Sequence, residues 1–215
     1  HICVRKNVTG GKKTILANII TLSRIPLLIL IIFLLYQPTA TPRLIAAPLI
    51  IFLIVMDSFD GVIARKRGET SVLGSVLDIA ADRAVEYVMW VVFAHLGLIS
   101  VVFPVIVLLR GTFVDAVRAI APSKGLSPFE MMRSPIGRFL VKSPWLRTPF
   151  AVAKAVAFFF LALAHGLAAA GHPALATINV VAQVCAWLAL LLCLLRGVPV
   201  LLEAPRALRE EPRQG

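Results

Sequence analysis

The chain has 215 residues, of which 59% are hydrophobic and 15% are charged, and its mean hydropathy is +0.90. A soluble domain is about half apolar and a quarter charged, so this composition excludes both a water-soluble globule and a disordered chain. Lys and Arg number 22 against 11 Asp and Glu, a formal charge of +11. In so apolar a chain, that excess favours an anionic membrane surface or a phosphate-bearing substrate over a nucleic acid.

Six apolar stretches follow one another along the chain, and each is long enough to cross about 30 Å of hydrocarbon as a helix. Pro, Gly or basic residues separate them, as expected of turns and loops. Apolar runs of this length do not alternate as the strands of a membrane barrel must. The sequence therefore predicts an all-α integral membrane protein with six transmembrane helices. The stretches cover residues 19–36, 44–64, 72–98, 101–121, 150–170 and 174–202.

Basic residues fall almost entirely on one side of these stretches. They occur in the N-terminal arm, in the junction after the second stretch, in the loop after the fourth and in a tail that includes Arg196, whereas the opposite turns hold only Arg43. Positive-inside bias places the basic side, and with it both termini, in the cytoplasm. The predicted divisions are a basic arm (1–18), a six-helix membrane catalytic domain (19–203) with a cytoplasmic loop (122–149), and a basic tail (204–215).

Acidic residues lie inside the apolar stretches, where each would cost about 2.5–3.5 kcal/mol at a helix centre. Asp57 and Asp60 are spaced i, i+3, and Asp78 and Asp82 are spaced i, i+4, so each pair shares a helix face. The chain turns back between the pairs, and we expect the four carboxylates to meet at the cytoplasmic edge. Such a cluster needs cations to stay ionised. Oxygen ligands without His or Cys suit Mg²⁺ or Mn²⁺, and two ions would balance the charge.

The acidic segment, written out, is Asp57-x₂-Asp60-Gly61-x₂-Ala64-Arg65-x₈-Gly74-x₃-Asp78-x₃-Asp82. It resembles the complete signature of the CDP-alcohol phosphotransferase family. The six-span layout and the pattern Asn18-x₂-Thr21-x₂-Arg24 at the first stretch resemble the same family. The resemblance implies that a phosphatidyl group passes from CDP-diacylglycerol to an alcohol hydroxyl, with release of CMP, and it implies a homodimer.

The resemblance also implies roles for individual residues. Two divalent ions, Mg²⁺ or Mn²⁺, would be bound by four carboxylates, and Asp82 would also be the general base that takes the proton from the attacking hydroxyl. The implied metal ligands are Asp57, Asp60, Asp78 and Asp82. The implied CDP-binding residues are Asn18, Thr21, Asp57, Gly61, Ala64, Arg65 and Gly74.

Three further basic residues within the stretches bear on the acceptor. Arg110 and Arg118 lie in the fourth stretch and Lys154 lies in the fifth. The metal ions would already neutralise the donor pyrophosphate, so these cations fit a phosphate group on the acceptor. Their arrangement also resembles the phosphatidylglycerophosphate synthase branch, whose acceptor is glycerol 3-phosphate. An inositol phosphate would need the same cations, and pairing of Arg110 with Asp115 or Glu86 is the structural alternative.

The predicted protein is thus a multi-pass enzyme of the inner cell membrane with its active site on the cytoplasmic side. Its predicted partners are CDP-diacylglycerol, a small phosphorylated alcohol and membrane lipids, with no nucleic acid. Inositol, serine and choline stay open as other acceptors. An ion-coupled transporter is the alternative function from a different class, because transporters also use intramembrane acids. This sequence lacks the inverted repeats that are typical of transporters, and its acids cluster at one edge of the membrane.

Overall fold

The structure, a computed structural model, describes residues 10–67, 72–120 and 144–209, with side chains described at 23–56, 74, 76–116 and 148–202. These residues form helices and contain no strand, which confirms the predicted all-α architecture. Each predicted apolar stretch corresponds to one helix apart from a few terminal residues. The six helices are α1 (Gly10–Leu35), α2 (Ala40–Arg67), α3 (Val72–His95), α4 (Val102–Ile120), α5 (Pro144–Ala170) and α6 (Leu175–Arg209).

Two of the predicted connections are turns that end a helix at a glycine. Gly97 follows α3 with φ 72°, and Gly171 follows α5 with φ 62°. Glycine adopts this left-handed conformation without the steric cost that a side chain brings, so it suits the end of a helix. The predicted loop over 122–149 is shorter than expected at its far end, because α5 already begins at Pro144. Proline is favoured in a first helical turn, where its missing N–H is not needed.

The six helices pack into a closed ring. α1 packs against α2 and α3, α2 against α5, α5 against α6, α6 against α4, and α4 against α3. Two side-chain contacts show that α1 and α3 run in the same direction. Asp78, near the N-terminus of α3, is 2.6 Å from Arg24 near the middle of α1. A 2.6 Å hydrogen bond joins Tyr36, just past the end of α1, to His95, the last residue of α3.

The interior of the ring has an aromatic part and a charged part. Trp90 of α3 is buried and packs edge-on against Phe158 of α5, with ring centres 4.8 Å apart. Phe93 and Phe103 extend the same core. One turn before Trp90, however, α3 carries the buried side chain of Glu86. The acids of α3 therefore lie towards its N-terminus, and the aromatic core lies directly C-terminal to them.

The outer surface of the bundle carries many large apolar side chains. Phe33, Phe52, Phe113 and Leu202 are all more than half exposed. Exposed apolar side chains in this number are typical of a surface that faces a membrane or another apolar partner. Among the residues with described side chains, two helical segments are long and apolar enough to cross a bilayer by length and composition, and two more apolar segments are shorter. The long ones are Thr148–Ala170 and Leu175–Leu202, and the shorter ones are Ser23–Leu35 and Ala40–Met56. The six spans and the position of the termini stay predictions.

Candidate active site

The signature residues lie on two helices that both pack against α1. The first part of the signature lies in the second half of α2, and the second part lies in the first half of α3. The side chains of Asp57, Asp60, Gly61, Ala64 and Arg65 lie outside the described residues, as do those of Asn18 and Thr21 on α1. The geometry of the site is therefore built from α3 and the helices around it.

Asp78 is bonded to a buried arginine. Arg24 of α1 is 1% exposed, and its Nη2 donates to Oδ1 of Asp78 at 2.6 Å. Arg24 follows Asn18 and Thr21 at intervals of three residues, a spacing that places all three along one side of α1. The last residue of the Asn18-x₂-Thr21-x₂-Arg24 pattern therefore contacts one of the four signature acids directly.

Asp82 and Glu86 share the ammonium group of Lys154. Nζ of Lys154 lies 3.3 Å from Oε2 of Glu86 and 3.9 Å from Oδ1 of Asp82. The two carboxylates are one helical turn apart, so they would repel each other without a cation between them. Asp82 is 46% exposed and Glu86 only 3% exposed. Lys154 thus links an accessible carboxylate to a buried one.

A second cation, Arg83, ties α3 to α4. Its guanidinium makes two contacts with Asp115, at 3.0 Å from Nε and 3.2 Å from Nη2, and a third with Glu86 at 3.4 Å. The structural alternative for Arg110, pairing with Asp115 or Glu86, is not found among the described side chains, where Arg83 and Lys154 contact these acids. The side chain of Arg118 lies outside the described residues.

Arg110 is buried between α4 and α6 at 8% exposure. Its Nε has no hydrogen-bond partner among the described residues. Its aliphatic stem lies against Gly197, where a Cβ atom would overlap its Cγ and Nε atoms. A buried donor without a partner costs about 1–3 kcal/mol, and a bound anion would recover that cost.

Arg196, which sequence reasoning counted among the tail residues, belongs to this region instead. It precedes Gly197 on α6, and its guanidinium lies 5.6 Å from the centre of the Phe150 ring. The ammonium of Lys154 lies 5.8 Å from the centre of the same ring. Cations from α5 and α6 therefore lie near the same aromatic ring, and Arg110 of α4 packs against the residue that follows Arg196. The only sequence signal for Arg196 was its place within an apolar stretch.

The carboxylates that the structure describes have suitable chemistry for a divalent cation. Asp78 and Asp82 are one turn apart on α3 and about half exposed, so neither is sealed from a ligand. Carboxylate oxygens are the usual protein ligands of Mg²⁺ and Mn²⁺. Among the described side chains, no three His, Cys, Asp or Glu residues lie close enough to hold a metal ion. The predicted set depends on Asp57 and Asp60 to complete it.

The comparison with protein families agrees with this arrangement. The profile of the CDP-alcohol phosphatidyltransferase family matches residues 14–204, which include most of all six helices and the whole signature. The chain belongs to this family. It is therefore a membrane-associated transferase of phospholipid synthesis, and the chemistry of the family is phosphatidyl transfer from a CDP-alcohol. A comparison with curated proteins gives no match.

Proposed function

We propose that the chain transfers the phosphatidyl group of CDP-diacylglycerol to the hydroxyl of glycerol 3-phosphate and releases CMP, with Mg²⁺ or Mn²⁺ as cofactor. One observation carries the choice of acceptor: Arg110 is buried between α4 and α6, and its Nε has no hydrogen-bond partner within the part of the chain whose side chains are described. Tyr87, next to Glu86 on α3, packs closely on Gly111, next to Arg110 on α4, so the two helices approach each other at this level. A phosphate on the acceptor would satisfy that donor, whereas the cation choline would be repelled.

In this proposal the signature residues bind the donor at the acidic end of the bundle. Two divalent ions held by Asp57, Asp60, Asp78 and Asp82 would neutralise the pyrophosphate and stabilise the leaving CMP. The residues proposed to hold the CDP moiety are Asn18, Thr21, Asp57, Gly61, Ala64, Arg65 and Gly74.

Asp82 is the proposed base. Its carboxylate accepts the proton of the acceptor hydroxyl, and the hydroxyl oxygen attacks the phosphorus that carries the diacylglycerol. The bond from that phosphorus to the bridging pyrophosphate oxygen breaks, and CMP departs with the oxygen. The accessible position of Asp82 supports this role, because a base must reach a substrate proton within hydrogen-bond distance.

Arg110 and Arg118, both on α4, are proposed to bind the acceptor phosphate, and Arg196 joins them. The predicted place of Lys154 in this set stays a prediction, since two carboxylates already hold its ammonium. Arginine suits the role because its planar guanidinium can make two parallel bonds to a phosphate. Glycerol 3-phosphate and inositol phosphate both offer such a group.

We further propose that all six helices cross the inner cell membrane, with both termini and the active site on the cytoplasmic side, and that the protein is a homodimer. The apolar outer surface supports this placement. The two contacts that show α1 and α3 running in the same direction support helices that alternate in direction along the chain. A site at the membrane edge lets the donor keep its acyl chains in the bilayer while its head group meets a soluble acceptor.

A panel of acceptors tests the proposal. The purified full chain is incubated with CDP-diacylglycerol labelled in its acyl chains, and CMP and labelled lipid are measured with glycerol 3-phosphate, inositol phosphate, inositol, serine or choline. We expect product with glycerol 3-phosphate, abolished by EDTA and restored by Mg²⁺ or Mn²⁺. Product with inositol or serine but with neither phosphorylated alcohol would contradict the assignment of the acceptor. Full turnover in EDTA would contradict the role of the metal.

A further inference from the structure

We infer that Glu86 is a positioning residue, which holds the ammonium of Lys154 against the proposed base Asp82. The resemblance to the family signature ends at Asp82, so it assigns nothing to Glu86 or to this contact. The inference rests on the proposed function, because it concerns how the proposed base is oriented.

Glu86 is fixed in place by two cations. Its Oε2 lies 3.3 Å from Nζ of Lys154 and 3.4 Å from Nη1 of Arg83, and its side chain is 3% exposed. Arg83 is itself held by its two contacts with Asp115 on α4. A carboxylate taken out of water persists as a charge only with such partners. Glu86 therefore has a single well-defined position, anchored to two helices.

Lys154 reaches its partners across the interior of the ring. It extends from α5, whose main packing partners are α2 and α6, to carboxylates on α3. A lysine side chain has a long, flexible stem, so the position of its ammonium is determined by the groups that bind it. Glu86 provides the nearer partner, and Phe150, one turn earlier on α5, lies beneath the same ammonium. Without Glu86, that ammonium would lose its buried anchor.

The ammonium of Lys154 restrains the position of the Asp82 carboxylate. Among the described residues, Lys154 is the cation within 4 Å of its carboxylate, at 3.9 Å. Asp82 is about half exposed, so packing alone does not fix its rotamer. The ammonium of Lys154, which Glu86 holds in place, restrains the carboxylate of Asp82 on the side that faces the interior of the bundle. Because a displacement of about 1 Å in a reacting group can cost about a hundred-fold in rate, this restraint bears on turnover.

This role differs measurably from a role in binding the acceptor. If Lys154 bound the acceptor phosphate, loss of Glu86 or of Lys154 would change the KM for glycerol 3-phosphate. If Lys154 orients Asp82, the same changes lower kcat and leave both KM values close to those of the wild type. A purely structural role for Glu86 would lower thermal stability without a kcat effect that depends on Lys154.

The experiment is a double-mutant cycle on the full chain in mixed micelles of detergent and CDP-diacylglycerol. CMP release is measured against glycerol 3-phosphate for the wild type, Glu86→Gln, Lys154→Met and the double variant. We expect each single change to lower kcat by about ten- to a hundred-fold with both KM values within about two-fold. The double variant should lose no more than the worse single, because both changes remove one interaction.

Gln183→Met is the control, since it removes a part-buried hydrogen bond outside this network, in which Nε2 of Gln183 donates to the carbonyl oxygen of Leu98 at 2.6 Å just past the C-terminal end of α3. Its kcat should stay within about three-fold of the wild type. If Glu86→Gln fails to fold, the comparison of Lys154→Met with the double variant, which loses both charges together, decides the question: equal kcat values support the inference. Additive losses, or a raised KM for glycerol 3-phosphate, overturn it.

The wild type separates this inference from the proposed function. No CMP release with any acceptor overturns the proposed function and the inference with it. An active wild type whose kcat is unchanged by Glu86→Gln overturns the inference alone.

Discussion

Nη2 of Arg24 lies 2.6 Å from Oδ1 of Asp78, so a side chain that is 1% exposed on α1 holds an acid of the signature on α3. The aliphatic and guanidinium atoms of Arg24 are enclosed by the bundle, while Asp78 is half exposed. The arginine therefore supports the carboxylate from the interior and leaves its outer side open to a ligand.

Replacement of Arg24 by Met should reduce both stability and metal affinity. Loss of one partner of a fully buried pair costs about 3–5 kcal/mol, but Asp78 can be hydrated, so we expect about 1–2 kcal/mol. Loss of a group that orients a metal ligand costs about 10- to 100-fold in metal affinity. Thermal unfolding in detergent measures the first effect, and the Mn²⁺ concentration at half-maximal CMP release measures the second.

Arg43→Met serves as the control at the other end of the bundle, where Nε of Arg43 donates to the carbonyl oxygen of Gln37 at 2.6 Å. It should cost about 0.5–1.5 kcal/mol and leave the Mn²⁺ requirement unchanged. An unchanged Mn²⁺ requirement in Arg24→Met would mean that Asp78 does not depend on Arg24 for its place in the site.

Gly197→Ala should weaken the acceptor site through Arg110. The new methyl group would overlap the stem of Arg110, so the guanidinium must move. We expect the KM for glycerol 3-phosphate to rise about ten-fold while the KM for CDP-diacylglycerol stays the same, because an arginine bound to a phosphate needs defined geometry. Steady-state kinetics with each substrate varied in turn gives both values.

Gly166→Ala is the matched comparison for that variant. Its Cβ atom would lie 2.7 Å from Cδ2 of Leu44, between α5 and α2 and away from the charged residues of α3 and α4. Overpacking of this kind costs about 1–3 kcal/mol, so both glycine variants should unfold at lower temperature. Only Gly197→Ala should raise the KM for the acceptor. An equal rise in both would show that the effect is a general loss of packing.

Gly111→Ala should destabilise the contact between α3 and α4. A Cβ atom there would overlap the hydroxyl of Tyr87 and lie 2.8 Å from its Cζ. We expect a loss of about 1–3 kcal/mol in unfolding experiments. Tyr87→Phe in the same chain removes the overlapping hydroxyl and should recover part of the loss. Without any recovery, the crowding would have to lie elsewhere on α4.

Asp82→Asn should abolish most turnover while donor binding persists. The amide keeps the size of the side chain but cannot accept the proton of the acceptor hydroxyl, so we expect kcat to fall by about 10²- to 10⁴-fold. Binding of CDP-diacylglycerol, followed by the thermal shift that it causes, should change much less. Full activity in this variant would remove Asp82 from the role of base.

The sequence was sufficient for the features that depend on local patterns. Long apolar runs require helices, glycine suits the turns after α3 and α5, and the spacing of the signature acids places each pair on one helix face. The family followed from the same motif, and the profile match confirms it. Each of these properties depends on the spacing of residues along a single helix or turn, so it can be predicted without knowing how the helices pack.

Only the tertiary structure decided which charges pair. Arg83 takes Asp115, and Lys154 bridges Asp82 and Glu86, while Arg110 meets neither acid. Which side chains pair depends on how each helix is rotated about its axis and shifted along it relative to its neighbours. Close contacts between helices, such as Tyr87 with Gly111 and Arg110 with Gly197, fix that rotation and shift. Because an ion pair between helices forms only where two side chains arrive within about 4 Å, a pattern along one chain segment does not specify it.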